Sequence, residues 1–200
     1  MIIAKNGDFE LEAKQGVSSL DDFTGRIRFS GTDCEVEHAS MVFNIKHPEY
    51  LEEGGVPWTP QAVESNFIEW KSGTVVRGDL RCKSWAAGDF EGDALHAGRI
   101  QNIVFRGKEL NAGSIDIAGV KSGKVKCGDV LKCWFSGDSL DCRSWGCGVF
   151  EGGVFMGDWH EGYFKGGVFC GIWHGGVWYN GTWSGDSRVG DGTFSAVVKG

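Results

Sequence analysis

The sequence predicts an all-β chain in which a parallel β-helix follows a small, mostly β N-terminal module. Three observations carry that prediction. An apolar residue returns at every fifth position from Trp70 to Phe155. The stretch "RCKSWAAGDFEGD" (81–93) returns without a gap as "DCRSWGCGVFEGG" (141–153). Finally, 33 glycines accompany 9 tryptophans and 13 phenylalanines in 200 residues. That much glycine without bulky apolar residues reads as disorder, whereas glycine in step with them reads as an ordered repeat.

Residues 1–69 keep no period of five and are read as a β-rich cap or docking module. "MIIAKNGDFELEA" predicts a hairpin, with an Asn6-Gly7 turn followed by Phe9, Leu11 and Ala13 alternating with Asp8, Glu10 and Glu12. "GRIRFSG" and "CEVEHASMVFNI" alternate in the same way and predict two further half-buried strands. "HPEYLEEGGVPWTP" reads as a loop. "TPQAVESNF" reads as one or two helical turns capped by Thr59, with Pro60 at the first position. The first coil of a solenoid has an unpaired backbone edge, and this module is expected to cover it.

Residues 70–157 are read as the solenoid. The positions counted in fives are Trp70, Val75, Leu80, Trp85, Phe90, Leu95, Ile100, Phe105, Leu110, Ile115, Val120, Val125, Val130, Phe135, Leu140, Trp145, Phe150 and Phe155, and all are apolar. At 41% hydrophobic composition, one register does this by chance on the order of once in ten million trials. Helices repeat at 3.6 and flat strands at 2, so a period of five suits a short extended side followed by a corner. Four such sides make a square coil of about 20 residues, with coils stacked at roughly 4.8 Å. On that geometry the echo from Cys82 to Cys142 is three coils, and Leu80, Ile100, Val120 and Leu140 form a single file. Glycine two positions before the inward residue, as at Gly78, Gly88, Gly98 and Gly148, leaves room in a narrow interior and accepts positive φ at corners.

Residues 158–200 are read as a continuation and C-terminal cap. "FEGGVFMGDWHEGY", "FKGGVFCGIWHGGV" and "WYNGTWSGDSRVGD" are consecutive units of equal length. Either smaller coils or a run of short aromatic hairpins fits that rhythm.

Charge is divided unevenly. Residues 1–70 hold 5 basic and 13 acidic side chains, a balance of 5 − 13 = −8, while residues 71–200 hold 15 and 14, a balance of +1. Basic and acidic residues of the solenoid are interleaved, as in "VKSGKVKCGDVLKC", which reads as a solvated face and predicts no nucleic-acid partner. No apolar run spans a bilayer and no signal peptide opens the chain, which predicts cytoplasmic synthesis and no membrane partner. Seven cysteines without metal-ligand spacing read as thiols. On square coils Cys127 and Cys147 are one coil apart, and they are the candidate disulfide.

The candidate chemistry is sparse. "GDSL" at 137–140 is the nucleophile signature of a hydrolase family, but it falls mid-chain without a later Asp-x-x-His, and Leu140 belongs to the five-residue ladder. His160 and His174 each follow a tryptophan and hold the same place in consecutive units. With Cys170 they form a conceivable metal site. Trp159, Trp173, Trp178 and Trp183 read as packing rather than as a stacking platform for a base or sugar. No catalytic residue, metal ligand or cofactor is assigned.

"GDLRC", "GDFEG", "CWFSG" and "GVFEG" resemble the unit of the pentapeptide-repeat family: a small residue, Asp or Asn, Leu or Phe, a polar residue, then Gly. The resemblance covers about residues 70–155 and implies a solenoid. The chain departs from the family in using Gly where Ala is usual and Trp at inward positions. Some family members resemble DNA in outline and charge and occupy the DNA groove of topoisomerases. The GGxF and GGxW arrays resemble segments of tailed-phage structural proteins. The expected function is therefore a non-catalytic structural protein, a virion component that docks through its N-terminal module and contacts protein partners or copies of itself. The alternative is a regulatory binder of a topoisomerase or a host-defence inhibitor. A mimic of DNA needs an acidic column, and the balance of +1 over residues 71–200 does not supply it.

Overall fold

The computed structural model describes residues 2–6, 9–13, 22–29, 32–43, 68–184, 187–190 and 195–196. It is nearly all β, with a parallel solenoid of about eight turns over residues 74–189. The predicted loop at 47–60 and the whole of the predicted helical turn at 59–67 lie outside the described residues.

Five strands lead into the column. β1 (Ile2–Asn6) and β2 (Phe9–Ala13) form the predicted antiparallel hairpin, with Asn6 opposite Phe9. β3 (Phe23–Phe29) and β4 (Thr32–Phe43) extend the meander. β4 then runs antiparallel to β5 (Ile68–Trp85), from Phe43 opposite Ile68 to Asp33 opposite Asp79. β5 turns its other edge to the next coil, so β4 covers the first coil's free edge. To follow β5 round its corner β4 must kink. It does so at His38, whose φ is +51°, beside Gly73, where a Cβ would lie 2.6 Å from the His38 carbonyl oxygen.

The coils are triangular, which corrects the square expectation. β7 (Ala94–Phe105), β8 (Glu109–Val120), β9 (Lys124–Phe135) and β10 (Ser139–Phe150) pair in parallel, each with the next. Leu95 faces Leu110, Leu110 faces Val125 and Val125 faces Leu140, so the chain returns to its starting place at every third plug. Each coil thus has three sides. The short β6 (Asp89–Phe90) completes the first turn against β5 and β7. The echo from Cys82 to Cys142 spans four coils, through Ala97, Ala112 and Cys127.

The inward residues stand in three files. The first runs through Leu80, Leu95, Leu110, Val125, Leu140, Phe155 and Phe169; the second through Trp70, Trp85, Ile100, Ile115, Val130, Trp145, Trp159 and Trp173. The third runs through Val75, Phe90, Phe105, Val120, Phe135, Phe150 and Phe164. All are buried. Leu80, Ile100, Val120 and Leu140 are therefore not one file: Leu80 and Leu140 share the first, Ile100 stands in the second and Val120 in the third. The reason is visible at Trp145, Phe150 and Phe155. Their centroids are 6.4, 6.1 and 5.7 Å apart pairwise, each pair edge-to-face. Three rings already touch one another, and a fourth side would open a hole among them.

Beyond Phe155 the coil loses one residue. β11 (Val154–Trp159), β12 (Tyr163–Phe164), β13 (Val168–Trp173), β14 (Val177–Trp178) and β15 (Thr182–Trp183) still pair in parallel, Phe155 with Phe169 and Phe169 with Trp183. Of the two alternatives, smaller coils are realised and hairpins are not. The missing residue is on the side between the first and second files, where the register slips between Asp141 and Ser144. Gly157 makes that slip possible: its φ is +137°, and a Cβ would lie 1.9 Å from the Cys142 carbonyl oxygen. At the far end β16 (Arg188–Val189) and β17 (Ser195–Ala196) pair with β13 and β14 at longer offsets.

Candidate functional site

A three-sided column offers three long faces and two ends, and its polar chemistry lies there. The first face, between the first and second files, carries Arg81, His96, Asn111, Lys126 and Asp141 in register. The third face, between the third and first files, shares the positive-φ glycine bends with the second, Gly78, Gly123, Gly153 and Gly167 among its own, and carries more charge than either other face. Ion pairs join one coil to the next: Arg106 to Glu91 at 3.1 Å, Lys108 to Asp93 at 2.5 Å and Lys165 to Glu151 at 3.1 Å on the third face, and Arg143 to Asp129 on the first. Arg99 reaches round the corner to Asp116 at 2.6 Å. Such exposed pairs are screened by solvent and salt, so they tune the surface rather than hold the column.

The pKa directions follow from these contacts. A hydrogen bond from Arg143 holds Asp129 below the usual carboxylate range. The Trp134 indole N–H, 2.9 Å from Glu151 Oε2, does the same for Glu151, with help from Lys165. Arg26 grips Asp33 through two hydrogen bonds of 2.7 and 2.9 Å and lowers it.

Where the module meets the first coil, a groove of about 440 Å³ is lined by Arg26, Asp33, Glu35, Arg77, Asp79 and Asp93 among others. Its charges answer one another. Arg77 pairs with Glu35 at 3.3 Å, and Asp79 Oδ1 accepts the Ala94 N–H at 3.0 Å.

The three-sided coil separates the two cysteines of the candidate disulfide. Cys127 stands in register with Cys142, while Cys147 stands beside Lys132 on the second face, so Cys127 and Cys147 are not stacked. All seven cysteines are free thiols. Burial pushes the Cys82 and Cys127 thiols up to about 12 and raises Cys34, Cys133 and Cys142 further. These are side chains of the wall, with little thiolate to react.

The remaining candidates are dispersed. Ser139 has Lys124 and Val154 as its in-register neighbours, and Leu140 beside it is buried in the first file. His160 and His174 do stack, with centroids 4.7 Å apart and planes within 9°. Cys170, however, is on the first face with Met156, across the Trp173 corner from them. Among the described residues no group of three or more ligating side chains could hold a metal ion. Trp159 and Trp173 are buried plugs, and Trp178 and Trp183 pack half-buried against the same core.

Sequence reasoning missed the second face, between the second and third files. There Ile117, Leu131 and Trp134 are 50, 64 and 58% exposed. The signal was present in "IDIAG" and "DVLKCW", but with four sides assumed these residues could not be placed on a common face.

Comparison of the chain with protein-family models, with curated proteins and with solved structures finds no match.

Proposed function

We propose that the protein is a non-catalytic structural element of a larger assembly, a stiff column docked through its acidic N-terminal module. The observation that carries this reading is the continuity of the three files, buried plugs from Trp70 to Trp173 with one edge covered by β4. Bending such a column separates stacked coils and exposes apolar surface, so it resists deformation over its whole length. The balance of −8 over residues 1–70 against +1 over residues 71–200 confines long-range attraction to one end. The Gly–aromatic arrays from Phe150 onward make a phage particle the first assembly to examine.

Mass spectrometry of purified native particles tests this. The expected result is the chain at fixed stoichiometry in particles that survive a density gradient. A chain recovered wholly in the soluble fraction without partners overturns it.

The five-residue period supports a second reading, a pentapeptide-repeat regulator that occupies the DNA groove of a topoisomerase. The near-neutral solenoid argues against it, because groove mimicry needs a dense line of negative charge. A supercoiling assay separates the two readings: inhibition near stoichiometric protein favours the regulator.

A further inference from the structure

The second face is built from six short rows in parallel register: 101–104, 116–119, 131–134, 146–149, 160–163 and 174–177. The third place turns inward in the first three rows, as the buried Ile103, Ala118 and Cys133 show, and is a positive-φ glycine in the last three, Gly148, Gly162 and Gly176. The last place turns outward and is apolar or glycine throughout: Val104, Gly119, Trp134, Val149, Tyr163 and Val177. Large and small side chains are arranged differently in the two halves of the face. Leu131 and Trp134 project from row 131–134, whereas Gly146 and Val149 hold the same places in row 146–149. Tyr163 projects from row 160–163, and Gly119 leaves a gap in row 116–119.

We propose that this face binds a second copy of the same chain, the two columns antiparallel about a two-fold axis. The axis lies in the contact plane, runs along the strands and passes between rows 131–134 and 146–149. Such an operation reverses the order of the rows and keeps each residue's place along its row. Leu131 then falls on the partner's Gly146, Trp134 on the partner's Val149 and Tyr163 on the partner's Gly119. In these three contacts a large side chain meets a small one, while Ile117 falls on the partner's Glu161; every contact is made twice because the interface is isologous.

Charge agrees with shape. Lys132 and Glu161 are both exposed at the second place of their rows, and neither has an ion-pair partner among the described residues. They lie two rows apart within one chain, but in the antiparallel pair each Lys132 comes to within one row of the partner's Glu161. Two intermolecular ion pairs then flank the axis, whereas two columns in parallel alignment would bring like charges together.

Six rows at roughly 4.8 Å by four places at roughly 3.3 Å give a contact of about 29 by 13 Å. That is about 380 Å² per copy, roughly half the area of a standard interface, so the dimer is a weak one that forms at the upper end of the micromolar range. The inference extends the assembly reading by naming a contact face, and rests on it only for the idea that the chain associates at all.

Sedimentation velocity on the purified full chain from about 1 to 200 µM tests the proposal. The expected result is a monomer–dimer equilibrium in the micromolar range. Lys132→Glu or Glu161→Lys alone weakens it tenfold or more, and the double charge swap restores it. Gly119→Arg abolishes the dimer: nothing lies within 4 Å of a Cβ at Gly119, so the fold accepts the side chain, but it fills the gap that takes the partner's Tyr163. Circular dichroism confirms that the variant is folded. A chain that stays monomeric throughout, or a dimer indifferent to these variants, overturns the proposal. A monomer still found in native particles sinks this dimer and leaves the assembly reading standing. A dimer absent from any particle does the reverse.

Discussion

The indole of Trp145 lies flat on that of Trp159, with centroids 4.9 Å apart and planes within 10°, across the point where the coil shortens by one residue. The file therefore does not break where the backbone period does. Removing a residue between the first and second files draws in the wall but leaves the plugs registered. The same holds for Phe150 on Phe164 at 5.0 Å and Phe155 on Phe169 at 5.2 Å. The repeat that the fold protects is the plug, and the number of residues between plugs adjusts around it.

Equivalent tryptophans in the second file are not equally satisfied. Trp145 Nε1 donates to the Glu161 carbonyl oxygen at 3.1 Å, whereas Trp159 Nε1 is buried with no hydrogen-bond partner among the described residues. Trp145→Phe loses ring volume and a hydrogen bond; Trp159→Phe loses ring volume and relieves an unpaired donor. Trp145→Phe is expected to destabilise by about 1–2 kcal/mol more than Trp159→Phe. Urea titrations of both variants, followed by far-UV circular dichroism, check the difference.

Coil length can be tested by deletion. Removing residues 109–123 excises one whole coil and joins Lys108 to Lys124, returning Phe105 to the level below Phe135. That variant is expected to fold with a cooperative transition, because each coil contacts only its neighbours. Removing 104–123 takes out four sides instead of three. It displaces each later plug by one side and is expected to yield aggregated or unfolded protein. Circular dichroism and size-exclusion profiles distinguish the outcomes.

The plug ladder and the β character were legible in the sequence because burial acts on every fifth residue from Trp70 to Phe155, however many sides a coil has. The number of sides was not, because it depends on how three particular side chains meet. Phe150, Phe155 and Trp145 touch edge to face, and no periodicity in a string encodes that contact. The mistaken pairing of Cys127 with Cys147 and the unseen second face both descend from it. The glycine–aromatic units after Phe150 were legible as a repeat, but their parallel register was not, since "GG" before an aromatic suits a corner and a hairpin equally.

Glycines divide by what surrounds them. Gly148 has φ +130°, and a Cβ there would lie 1.9 Å from the Cys133 carbonyl oxygen, so Gly148→Ala must displace backbone. Gly152 has ordinary φ and nothing within 4 Å of its Cβ position. Gly148→Ala is expected to cost more than about 2 kcal/mol. Gly152→Ala is expected to be neutral or to stabilise by up to about 1 kcal/mol. Paired denaturation curves decide.

Thiol reactivity should follow the walls. In the native protein, Ellman's reagent at pH 8 is expected to label Cys147 and Cys170, which are partly exposed. Cys34, Cys82, Cys133 and Cys142 are buried, with thiol pKa values raised by that burial, and should react only at the rate of unfolding. Rapid labelling of these buried thiols would mean that the wall opens locally. Cleavage mapping of the labelled protein identifies the sites.

Acid should loosen the surface ion pairs before it reaches the core. Asp33, Asp129 and Glu151 have folded-state pKa values held below the ordinary ones of 3.8, 3.8 and 4.5 by Arg26, by Arg143, and by Trp134 with Lys165. For a lowered carboxylate the stabilisation is complete above the unfolded-state pKa and disappears as pH falls through the folded-state one. Stability should therefore be flat from pH 7 to about 5 and decline below about 4.5 as these groups take up protons. Because all three are partly exposed, high salt should flatten the decline. Replacing Glu151 with Gln removes its share of the slope while keeping an acceptor for the Trp134 indole. Thermal unfolding of wild type and Glu151→Gln between pH 3 and 7 measures this, and identical slopes would show that the Trp134–Glu151–Lys165 contact contributes nothing in solution.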